Sequence, residues 1–133
     1  MDRKVNHLQM IQSVIARMGQ NSFFLKGWAV TLVAALFALS NQGARVEFLI
    51  FACLPILIFW ILDAYYLRQE RLFILLYNFV RQKDEQEIDY NMNTSQLSVK
   101  HPPLFMVILS RTILLFYLPI LLLIGIAMFL FPL

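Results

Sequence analysis

The chain has 133 residues, 60% of them hydrophobic and only 14% charged, with a net charge of +3. That balance excludes an ordinary soluble domain, and a single cysteine, Cys53, excludes an intrachain disulfide or a multi-cysteine metal site. The basic residues flank apolar runs, an arrangement that suits anionic headgroups rather than nucleic acid.

In chain order, residues 4–19 place Leu8, Ile11, Ile15 and Met18 at i, i+3, i+4 spacing, with Met10 and Val14 beside them. This predicts an amphipathic helix. Gly19-Gln20-Asn21-Ser22 then reads as a break followed by a cap-like Asn and Ser. Phe23–Ser40 is the first of three long apolar runs. It starts too far from Met1, behind too patterned a segment, for a cleaved signal peptide. Asn41-Gln42-Gly43 predicts a tight turn into the second run, Val46–Leu67. No breaker follows before Lys83, so the second helix should continue through residues 68–83 for roughly 38 residues, nearly 60 Å. This continuation carries Leu72, Leu75, Leu76, Phe79 and Val80 on one face. It should bury that face against 4–19 or against a neighbouring copy.

Residues 84–103 read as an acidic and polar loop, with Asp84, Glu85, Glu87 and Asp89 and a short ordered piece around Ile88–Met92. Pro102 and Pro103 close it, because the first turn of a helix tolerates proline. The third apolar run, Leu104–Leu133, predicts one span over 104–131.

Each run matches the ~20 helical residues needed to cross a bilayer core, and a lipid-exposed backbone crosses as helix. The expected fold is therefore an all-α integral membrane protein, one domain over 1–133, with spans at 23–40, 46–67 and 104–131. Of the eleven Lys and Arg, all but Arg45 lie before the first run, after the second, or at the entrances to the first and third. The positive-inside bias places the N-terminus and 68–103 in the cytoplasm and the C-terminus in the periplasm of a bacterial inner membrane.

Three charges enter the spans at similar depth near the cytoplasmic edge: Lys26, Asp63 and Arg111. An unpaired carboxylate is costly there, which suggests a Lys26–Asp63–Arg111 ligand or gating layer ringed by Trp28, Trp60, Tyr65 and Tyr66. The plainer alternative has the two bases snorkelling to headgroups while Asp63 pairs with one of them, the aromatics being ordinary interface residues. Gly27, Thr31, Ala34 and Ala38, with Ala35, form a small-residue face for close helix packing, against the second span or a second subunit. Pro55 and Pro119 lie within spans, where proline shapes or kinks a helix.

Catalytic signals are lacking in the sequence. His7 and His101 have no partners at metal-ligand spacing, Ser110 has no flanking nucleophile-elbow glycines, and the acidic cluster lacks a calcium loop's spacing and glycine. No enzyme activity, metal or cofactor is expected.

Leu25-Lys26-Gly27-Trp28-Ala29-Val30-Thr31-Leu32-Val33-Ala34-Ala35-Leu36-Phe37-Ala38-Leu39 and Phe59-Trp60-Ile61-Leu62-Asp63-Ala64-Tyr65-Tyr66-Leu67-Arg68-Gln69-Glu70-Arg71-Leu72-Phe73 resemble a family of small bacterial membrane proteins. Ser110-Arg111-Thr112 and Phe116-Tyr117 extend the similarity over nearly the whole chain. The family's members look like transmembrane partners of anti-phage defence sensors, and the resemblance carries no catalytic residue. It implies an association with anti-phage defence; the minimal soluble part, the small-residue face and the amphipathic stripes add the expectation of a non-enzymatic membrane effector, engaged by a soluble sensor or a small nucleotide-type signal and forming homo-oligomers that perturb the bilayer. The alternatives are an anchor or scaffold subunit recruiting a soluble partner, and a small channel or transporter subunit.

Overall fold

The computed structural model describes residues 2–40, 46–99 and 101–130. All the regular structure among them is helical: α1 (Asp2–Ser40), α2 (Val46–Arg81), a 3-10 turn (Glu85–Glu87), α3 (Ser95–Ser98), α4 (Leu104–Ile108) and α5 (Arg111–Leu130). The predicted Asn41-Gln42-Gly43 turn and the extreme C-terminus lie outside the described residues.

α1 corrects the sequence reading. The chain does not break at Gly19–Ser22; one helix of 39 residues runs through it. Gly19 has room for a side chain inside the helix, and Ser22 is used in packing. A Cβ on Gly19 would meet only Glu70 Oε1 of α2, at 3.7 Å. Ser22 is buried and turns its hydroxyl to Asp63 of α2. α2 is one unbroken 36-residue helix despite Pro55, and it ends at Arg81, just short of Lys83.

The third run departs from expectation as well. It is two helices, with the break at Leu109–Ser110. Pro103 is the N-cap residue of α4, so α4 starts where the prolines place it. Its last turn is tightened by Ser110 N–H donating to Val107 O (2.9 Å), and Leu114 N–H takes up Ser110 O as α5 begins (2.9 Å). No glycine or proline marks this break in the sequence.

Two apolar clusters hold the helices together. One joins α1, α2, α4 and α5 through Ala29, Val33, Ile56, Ala64, Val107, Ile113, Tyr117 and Ile124. The other packs the first half of α1 on the second half of α2, through Ile11, Leu76 and Val80, and is closed by Ile88. The two amphipathic stripes thus meet within one protomer at Ile11, Leu76 and Val80, while Leu75 and Phe79 of the predicted face stay exposed. Lys4 Nζ ties the same ends together by donating to the carbonyl of Arg81 (3.1 Å), left open at the end of α2, and to that of Lys83 (2.7 Å) just beyond it.

The connection after α2 is more ordered than its polar composition suggests. Asp89 Oδ1 accepts from Asn91 N–H (3.1 Å), Asn91 Oδ1 from Asn93 N–H (2.9 Å), and Asn93 Oδ1 from Ser95 N–H (2.9 Å). Three successive Asx turns replace regular secondary structure here. Tyr90, within this run, has φ of 56° and sets its ring edge-on to His7 of α1, at 5.4 Å.

Arg3–Leu39 and Arg111–Leu130 are long and apolar enough to cross a membrane. Only 17% and 22% of their most apolar windows are buried inside the protomer, whereas the core helix of a soluble protein is mostly buried.

Two substitutions test this architecture. Gly19 lies inside a helix with room for a methyl group, so Gly19→Ala should raise stability by about 0.5–1 kcal/mol in detergent unfolding. A glycine ending a helix in left-handed conformation would give a loss instead. His7 is 3% exposed, and its Nε2 has no hydrogen-bond partner among the described residues. His7→Phe should leave stability unchanged or raise it by about 1 kcal/mol, because an orphaned buried polar atom is removed.

Candidate functional site

One turn of α1 presents Ser22 and Lys26 on the same face, four residues apart. α2 presents Asp63 opposite them. Lys26 Nζ donates to Asp63 Oδ2 at 2.6 Å and to Ser22 Oγ at 2.8 Å, and Ser22 Oγ donates to Asp63 Oδ1. Both carboxylate oxygens are therefore satisfied. Asp63 is fully buried, while the Lys26 side chain keeps 24% exposure and reaches the edge of the protein. A buried carboxylate survives only with this kind of pairing and hydrogen bonding.

The remaining helices join at the same level. Trp60, one turn before Asp63, stacks flat on Tyr117 of α5, with centroids 5.9 Å apart and planes 6° from parallel. Its indole N–H donates to Ile108 O at 2.9 Å. That carbonyl lies at the end of α4, where a helix leaves its last acceptors open, so Trp60 caps the break in the third run. Tyr117 is buried, its hydroxyl donating to Phe59 O at 3.4 Å, and its neighbour Phe116 lies 5.8 Å below the Lys26 ammonium.

The charge layer expected from the sequence is thus partly assembled. Lys26 and Asp63 meet; Arg111 does not join them. Arg111 is exposed at the start of α5, on an outward groove shared with Leu114, Leu115 and Leu118. This matches the plainer alternative, in which Asp63 pairs with one base and the other reaches outward. Trp28 is 66% exposed, and Tyr65 is exposed with half-buried Tyr66 set against it edge-on. Of the four aromatics, Trp60 alone is shown bonded into the junction. Ser22 and Tyr117 were not legible as site residues. Ser22 looked like a helix cap, although its i, i+4 spacing from Lys26 was the available signal.

The small-residue face also lies elsewhere than on α2. Gly27, Thr31, Ala34 and Ala38 are exposed, and Ala29 and Val33 make the packing contacts instead. A Cβ on Gly27 would touch nothing within 4 Å. Thr31 Oγ1 donates back to Gly27 O at 2.9 Å, which leaves this outward stripe without a free hydroxyl proton.

The junction joins α1 to α2 at a fully buried carboxylate and leaves the Lys26 side chain partly exposed. Among the described residues no group of three or more His, Cys, Asp or Glu could hold a metal ion. Asp63→Asn should cost about 3–5 kcal/mol, since it strands Lys26 and Ser22 in a partly desolvated site. Arg111→Gln should stay within about 1 kcal/mol, as for an exposed charge. Thermal unfolding at matched expression measures both, and equal losses would remove the distinction between them. No family model, curated protein or solved structure matches this chain.

Proposed function

We propose that the protein is a non-enzymatic effector of the bacterial inner membrane, acting in anti-phage defence. A soluble sensor or a small signal engages its cytoplasmic helical end, and protomers then assemble and perturb the bilayer. α1 crosses with its second half, α2 with its first half, and α5 crosses last. The N-terminus and the 84–103 connection face the cytoplasm, and the C-terminus faces the periplasm. The resemblance of the two sequence strings supports the defence context, and the placement of the basic residues supports the orientation.

The observation that carries the assembly reading is the outward Gly27/Thr31/Ala34/Ala38 stripe. Small residues at this spacing let helices approach closely in lipid, where association depends on van der Waals packing. Within the protomer this surface touches no other helix closely enough to need small side chains. The second reading, a scaffold that recruits a soluble partner, is favoured by Ile74 and Leu75. They are 39% and 37% exposed on the part of α2 assigned to the cytoplasm.

Ala34→Leu and Ala38→Leu should leave protomer stability within about 0.5 kcal/mol, as for exposed sites, yet reduce cross-linked multimers in native membranes. Depolarisation of phage-challenged cells should fall in parallel. A strictly monomeric protein in native membranes would sink the assembly reading. A cytoplasmic signal from a reporter fused after Leu133 would sink the three-span topology.

A further inference from the structure

At the end of α2 farthest from the Lys26–Asp63 junction there is a cavity of about 320 Å³. It lies between the last turns of α2 and the Asx-turn run that follows, and it opens to the surface past the exposed Asn91 and Asn93. Its volume is at the lower end of the range of small-molecule sites, about 300–1,000 Å³. One wall is apolar and includes Phe79; the other is polar and includes Lys83, Asp89, Asn91, Asn93 and Gln96.

The hydrogen-bond pattern gives this polar wall a bias. Asn91 and Asn93 each commit the side-chain carbonyl oxygen to a backbone N–H two residues on. Their amide nitrogens, on the opposite side of the same groups, are left as donors without acceptors among the described residues. The Lys83 ammonium lies 4.1 Å from the Phe79 ring centroid and has no carboxylate partner among the described residues. Lys83 and the two amides give this wall three donor groups, beside Gln96 and Ser95, which can both donate and accept. Asp89 is the one carboxylate in the lining, and its Oδ1 already accepts from Asn91 N–H. An acceptor-rich ligand therefore finds three donor groups here, Lys83 and the Asn91 and Asn93 amides.

We infer that this cavity binds a small organic phosphate, its terminal oxygens held by Lys83 and the Asn91 and Asn93 amides and its apolar body lying on Phe79. Three separate donors suit the three terminal oxygens of a phosphate better than the two of a carboxylate. The remaining Asp89 oxygen is free to accept from a ligand hydroxyl. The chemistry is shared by a soluble phosphate ester and a phospholipid headgroup. It holds whether the protein is an effector or a scaffold, because a titration reads the cavity alone.

The Asx turns supply an unusually clean test. Asn91→Asp and Asn93→Asp keep an oxygen for each turn but replace the N–H donors with negative charge. Phenyl phosphate should bind the full-length protein saturably in calorimetric titration. Inorganic phosphate, which lacks an apolar body, should bind roughly tenfold more weakly. The double Asn→Asp variant should lose roughly tenfold or more in affinity while its unfolding temperature is unchanged. Lys83→Gln, outside the turns, should show a similar loss. Phenyl phosphate affinity that falls when phosphatidylglycerol is added to nanodiscs assigns the site to a headgroup, and unchanged affinity assigns it to a soluble ester. No saturable binding of phenyl phosphate, or full affinity in both the double variant and Lys83→Gln, overturns the inference.

Discussion

The fold turns on one desolvated carboxylate. Asp63 has no exposure, and it is tolerated because α1 brings Lys26 and Ser22 to its two oxygens. That requirement fixes both the rotation and the height of α1 against α2. A register shift of one residue would turn Ser22 and Lys26 about 100° away around α1 and leave the charge buried alone. Apolar contacts along two greasy helices specify register poorly, since neighbouring side chains are nearly interchangeable. The polar triad removes that ambiguity, and the Trp60–Tyr117 stack and the Trp60–Ile108 hydrogen bond extend the same reference level to α4 and α5.

Much of the helical content could be read from hydrophobic runs, because composition alone determines which segments prefer an apolar surrounding. Leu72, Leu76 and Val80 of the 68–83 stripe were legible for the same reason, whereas Leu75 and Phe79, placed on the same face, are exposed. Three features were not. Gly19 and Ser22 carry the local signature of a helix end, yet the helix runs through both, and Ser22 is held inside it by its hydrogen bond to Asp63. The break at Leu109–Ser110 leaves no sequence mark because Trp60, far away in the chain, satisfies the carbonyl of Ile108. Arg111 looked like a member of the charge layer because depth along a helix can be counted from sequence, whereas direction around it cannot be settled without knowing the neighbours.

The polar connection shows a further limit of periodicity. Asp89-Tyr90-Asn91-Met92-Asn93-Thr94-Ser95 alternates Asx with larger residues, a pattern close to that of a strand. The side chains instead bond their own backbone two residues on, while Tyr90 and Met92 pack on the second apolar cluster. Local side-chain hydrogen bonding competes with regular structure, and here it prevails because the segment has no strand to pair with.

The continuity of α2 has a mechanical consequence. Because the helix is unbroken from Asp63 to Val80, the stretch between them acts as a stiff rod about 26 Å long. Pivoting that rod about the Asp63 level by some 5° would carry its far end through about 2 Å. Conversely, displacing the far end applies torque where Lys26 and Asp63 hold each other. The first half of α1 lies along the same rod and is itself continuous with the second half, so the two helices deflect as a pair. A flexible joint at Gly19–Ser22 would dissipate such a displacement, whereas an unbroken helix would carry it to the ion pair.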